Sequence, residues 1–80
     1  MTTKTNDQPL PKWFNGLLYA KGDTVSNPFS GESIELNAAE LSMYDFIMGC
    51  VTLNKYDAEF NKAMNWFRRA NGDAYMVLLD

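Results

Sequence analysis

The sequence predicts a small α+β domain: an N-terminal β-hairpin or meander, then a helical hairpin and a short C-terminal element. Between Leu17 and Leu36 the chain is broken every few residues by turn chemistry and ends in period-two alternation. From Asn37 to Ala70 apolar residues recur at helical spacing behind two capping signatures. Asn71-Gly72 then punctuates the chain before a last apolar run, Tyr75 to Leu79. Strands followed by helices, without βαβ alternation, belong to the α+β class.

Residues 1–11 (MTTKTNDQPLP) are polar and carry two prolines, so a disordered tail is expected there and a single domain over 12–80. That leaves about 65 to 70 residues for a core, near the size at which one hydrophobic core supplies only a few kcal/mol. Stabilisation by dimerisation or by a bound partner would suit such a chain. Trp13 and Phe14 begin the apolar material, and Trp13 is expected to cap the core. Asn15-Gly16 and Lys21-Gly22-Asp23 are turns on either side of Leu17-Leu18-Tyr19. In Asn27-Pro28-Phe29-Ser30-Gly31 the asparagine can bond the backbone ahead of it, the proline presets φ and the glycine can take positive φ. Ile34 and Leu36 alternate with Ser33 and Glu35. The reading over Leu17 to Leu36 is therefore of short antiparallel strands, including a hairpin closed by Asn27 to Gly31.

Asn37-Ala38-Ala39-Glu40 is a close variant of a capping box, with Leu36 placed to act as its hydrophobic staple. The first helix should run to about Leu53. Leu41, Tyr44, Met48 and Val51 form one stripe, and Met43, Ile47 and Cys50 a neighbouring one, which is an unusually broad apolar face. Gly49 inside it suggests close approach by another backbone, since glycine costs about 1 kcal/mol against alanine in a helix. Asn54 to Tyr56 is the expected connection, and Asp57 can cap a second helix ending near Ala70. Its core stripe is Phe60, Ala63, Met64, Phe67 and Ala70, with Trp66 lying off it. Asn71-Gly72 reads as a stop because both residues tolerate the left-handed conformation. Asp73 could then cap a final helix through Leu79, although the composition of Tyr75 to Leu79 suits a strand equally well.

Catalysis is the poorer expectation. The chain has no histidine and one cysteine, and no recognisable cofactor loop. Cys50 has no base to activate it and lies on an apolar stripe, so a buried core thiol is the better reading than a nucleophile. Glu32, Glu35, Glu40, Asp45, Asp57 and Glu59 show no metal-ligand or acid/base spacing, and solvation and helix capping explain them. No enzyme activity, cofactor or metal is expected. The longest apolar run, Phe46 to Val51, is far too short to span a bilayer, and the N-terminus lacks the apolar stretch of a signal peptide. A lone cysteine suits a reducing compartment, so a soluble cytoplasmic protein is expected, away from membranes.

Binding is the better expectation. Arg68 and Arg69 form the one basic doublet, with Lys62 and Trp66 just before it. Arginine and tryptophan are enriched at protein interface hot spots, which makes this group the candidate surface for a protein partner. The plainer reading is two arginines complementing a helix dipole. A nucleic-acid surface using Trp66 with Arg68 and Arg69 is the alternative, disfavoured by a net charge of −3. Phe29, at the tip of a turn, either folds back over Val25 and Ile34 or projects as an anchor; folding back is the expected placement, and Phe29 joins the partner-binding candidates through the other. The second stripe of the first helix, Met43, Ile47 and Cys50 with Gly49 in its midst, is the candidate self-association face, a homodimer being one form this could take.

Gly16 to Tyr19, Asn27 to Gly31, Glu40 to Gly49, Trp66 to Arg69 and Ala74 to Asp80, taken in that order, resemble small uncharacterised proteins encoded by marine cyanophages. The resemblance covers most of the chain after the tail and carries no enzyme motif. It implies a phage product in an infected cyanobacterial cytoplasm, binding host or phage machinery, and it brings no catalytic residues with it.

Overall fold

The computed structural model describes residues 9–79. Two antiparallel strands, β1 (Asp23–Ser26) and β2 (Ser33–Leu36), precede three helices, α1 (Ala38–Thr52), α2 (Ala58–Ala70) and α3 (Gly72–Leu78). The α+β class holds, and the hairpin closes at the expected turn. Val25 pairs with Ile34 and Asp23 with Leu36, which puts the apolar members of both strands toward the helices. Helices α1 and α2 pack on each other, and α3 bridges the end of α2 and β2. Of the tail expected over 1–11, most lies outside the described residues; Leu10, at its end, packs against the core.

Each helix end has an identifiable cause. The capping box of α1 is complete: the Glu40 N–H donates to Asn37 Oδ1 at 2.8 Å, and the Asn37 N–H donates to Glu40 Oε1 at 3.0 Å. At the other end Asn54 takes φ 55°, with Lys55 N–H donating to Cys50 O and Asn54 N–H to Val51 O, a Schellman arrangement. Asp57 caps α2 through the Phe60 N–H at 3.1 Å.

The stop at Asn71 works differently from the sequence reading. Asn71 is extended, at φ −155°, and neither it nor Gly72 is left-handed. Its backbone N–H donates to Phe67 O, ending α2, while its Oδ1 accepts from the Ala74 N–H at 3.1 Å and caps α3. Asparagine is favoured here for its side chain. Asp73 lies inside the first turn of α3 and does not cap it. That cap also settles the last element as helix over the alternative strand.

Two further expectations change. Leu17 to Tyr19 forms no strand; the Tyr19 N–H donates to Ser42 Oγ at 3.0 Å, and Ser42 Oγ in turn donates to Ala38 O, so the segment is fastened along α1. The two stripes of α1 also exchange roles. Met43, Ile47 and Cys50 are buried with Leu36, Ala63, Phe67, Ala70 and Ala74, whereas Met48 and Val51 face solvent. Both stripes are apolar, so periodicity alone could not orient the helix. The capping box did, by turning Glu40 inward to 1% exposure.

One glycine is required by crowding: a Cβ on Gly22 would fall 1.9 Å from Leu36 O, because the chain crosses the end of β2 there. Gly22→Ala should therefore lower stability by about 2 kcal/mol or more, as overpacking against backbone does. Asn71→Ala, which strips the α3 cap and a hydrogen bond to buried Glu40, should cost about 1–3 kcal/mol. Thermal unfolding checks both, each kcal/mol being worth about 4–8 °C in a domain of this size.

Candidate interaction surfaces

Lys62, Asn65, Trp66 and Arg69 recur at helical spacing and so share one face of α2. The segment before β1 closes over that face. The Trp66 indole N–H donates to Pro9 O at 3.0 Å, and Trp13 packs edge-on against Phe46 of α1 at 6.0 Å, with Phe14 completing an aromatic trio. Between the segment and the helix lies a shallow cleft of about 290 Å³, lined by Trp13, Lys62, Asn65, Trp66 and Arg69. Trp66 is 9% exposed, so it is a wall of this cleft; its expected role as an exposed anchor is corrected. The sequence placed it off the core stripe, which is right for the helix alone. The covering came from Pro9 to Phe14, residues read partly as tail.

Arg68 leaves this group. Its Nη2 donates to Asn65 Oδ1 at 2.9 Å and its guanidinium lies 5.9 Å over the Tyr75 ring, toward α3. Lys62 and Arg69 are exposed beside the cleft and have no ion-pair partner among the described residues.

Phe29 does not fold back. It is 97% exposed at the tip of the hairpin turn. Asn27 Oδ1 accepts from the N–H groups of Phe29 (2.8 Å) and Ser30 (3.3 Å), and its Nδ2 donates to Val77 O at 2.8 Å, tying the turn to α3. Gly31 takes φ 81°, its N–H donates to Asn27 O, and the hydroxyls of Ser26 and Ser33 bond across the neck at 2.7 Å. This turn carries Phe29 outward, away from Val25 and Ile34.

The self-association face is corrected in the same way as the stripes. Met43, Ile47 and Cys50 are core residues and present nothing to a second molecule. Gly49 is exposed, and a Cβ there would meet nothing within 4 Å, so among the described residues no other backbone approaches it. The apolar surface lies beside it. Leu18 and Leu53 are each 74% exposed, and Leu17, Tyr56, Met48 and Val51 are also open; they belong to the fastened Leu17–Tyr19 segment, to α1 and its C-cap, and to the connection into α2. No known protein family matches the chain, and no curated protein or solved structure matches it either. Among the described residues no three His, Cys, Asp or Glu side chains gather as a metal site, and no helix is long and apolar enough to cross a membrane.

Three groups resist ionisation. Burial, followed by Asp57, pushes the Cys50 thiol above its ordinary 9.0; the carboxylate of Asp45 raises Tyr19 above 10.0, and burial raises Tyr44. The folded chain then holds protons that the unfolded chain has released. Stability from this source is intact below the ordinary thiol value of 9.0 and falls as pH rises through the raised values. Denaturant titrations should show unchanged stability from neutral pH to about 8 and a decline in alkali, and a thiol reagent at neutral pH should label Cys50 only as fast as the domain opens. Gly49→Ala should raise stability by about 1 kcal/mol; a loss would place an unseen contact at that position.

Proposed function

We propose that this chain is a non-enzymatic protein-interaction module whose partner covers the outer side of α1. The observation that carries this reading is the set of exposed apolar side chains on and around α1, Leu17, Leu18, Met48, Val51, Leu53 and Tyr56, with open Gly49 on the same helix. Seven of the nine large apolar side chains that stand exposed, these six and Tyr19, lie on α1, on the segment fastened to it or in the connection that follows it. Small monomers seldom leave so much apolar surface together unless something binds there. Gly49 adds a place where a partner could come close to the helix backbone. Combined with the cyanophage resemblance, this reading makes the partner a component of host or phage machinery in the cytoplasm of an infected cell.

The nucleic-acid alternative retains Lys62 and Arg69 as cations but has a weaker stacking face, because Trp66 is covered by the Pro9 to Phe14 segment. A salt-sensitive mobility shift with single-stranded or duplex DNA or RNA would favour it over the protein-partner reading.

The proposal is tested with the tagged chain as bait in a native lysate, beside Leu18→Lys combined with Leu53→Lys. Both substitutions replace exposed side chains, so circular dichroism and unfolding should match wild type within about 0.5 kcal/mol. Wild type should retain a protein that the double variant releases. Equal capture by both, or capture by neither, would count against the α1 surface.

A further inference from the structure

The hairpin turn carries an exposed phenyl ring and an acidic residue, and the cleft beside Trp13 carries two exposed cations. We infer that the turn of one copy docks in the cleft of another, with Phe29 against the half-buried Trp13 ring and Glu32 facing Lys62 and Arg69. This contact uses none of the residues on which the α1 reading rests.

The turn is built before any partner arrives. Asn27 holds it through three side-chain hydrogen bonds, one of them to α3, and Gly31 supplies the positive φ that closes it. A phenyl ring held 97% exposed on so fixed a base gains nothing inside its own chain. In a docked state the same fixity lowers the ordering cost of association. Aromatic side chains set in pockets are the usual anchors of such contacts.

The cleft offers what this anchor lacks. Trp13 is the half-buried aromatic at it, beside the buried Trp66, and the cleft's volume of about 290 Å³ is small enough for a single side chain to enter. Lys62 and Arg69 stand at it without ion-pair partners among the described residues. The turn brings the opposite sign in the exposed Glu32, three residues after Phe29. An acid at the turn and two cations at the cleft favour pairing between copies and set their orientation.

Phe29, being exposed, does not occupy the cleft of its own chain. Each contact therefore leaves one free turn and one free cleft, a head-to-tail arrangement that grows with concentration.

Sedimentation velocity of the full chain tests this, using Phe29→Ala and, separately, Lys62→Glu with Arg69→Glu. Wild type should show a mass that rises with concentration and falls with added salt, and each variant should associate at least about ten times more weakly. The decisive sample is the mixture. Phe29→Ala keeps a working cleft and the charge-reversed variant keeps a working turn, so together they should form a 1:1 dimer that does not grow. Circular dichroism of each variant confirms the fold, and Phe29→Leu, which keeps an apolar tip, should associate more strongly than Phe29→Ala. A wild type that stays monomeric at every concentration, or a mixture with no dimer, would overturn the inference. So would association that survives Phe29→Ala but is lost in the Leu18→Lys and Leu53→Lys variant; that outcome would assign self-contact to α1 and leave the proposed function standing.

Discussion

Glu40 is a carboxylate almost wholly removed from solvent, and three helices are organised around the hydrogen bonds it accepts. Its Oε1 takes the Asn37 N–H at 3.0 Å and the Asn71 Nδ2 at 3.2 Å. Asn71 meanwhile closes α2 with its backbone and opens α3 with its side chain. The start of α1, the end of α2 and the start of α3 are thus joined at one polar point inside an apolar core. Burying a polar group is costly unless its bonds are made, and Oε1 makes two, to the N-cap backbone of α1 and to the side chain that caps α3. Once Glu40 faces inward, Met43, Ile47 and Cys50 must follow it at helical spacing, and of the adjacent stripe Leu41 and Tyr44 reach the core's edge while Met48 and Val51 are left to solvent.

The local devices were legible in the sequence. Asn37 with Glu40, Asp57, and the Asn27 to Gly31 turn all act within a few residues of themselves, so the sequence states both partners. Misreadings came where the second partner is distant. The Asn71 side chain reaches Glu40, thirty-one residues away, and no local rule indicates that its value lies in a side chain and not in a left-handed backbone. The orientation of α1 was undecidable because two adjacent stripes were apolar and only burial of Glu40 chose between them.

The candidate surfaces show the same division. Phe29 was recognised as a residue with two placements, and the Asn27 hydrogen bonds select the outward one. Trp66 was misplaced because a helical wheel contains only its own helix, whereas the cover over Trp66 comes from Pro9, fifty-seven residues earlier. Lys62 and Arg69 do meet Trp66 at one cleft, while Arg68, their neighbour in sequence, is turned to Tyr75 by one residue's rotation about the axis. Leu17 and Leu18 were read as strand for their composition, and a single hydrogen bond from Tyr19 to Ser42 makes them surface.

Both tryptophans of the chain, Trp13 and Trp66, meet at the same seam, one on the segment before β1 and the other on the helix beneath it. The indole emission of this protein is therefore a local signal. It reports the seating of that N-terminal strap on α2, and an optical transition there can precede loss of the helical far-ultraviolet signal without any intermediate in the three-helix core. Agreement between the two probes would mean that strap and core open as one cooperative unit.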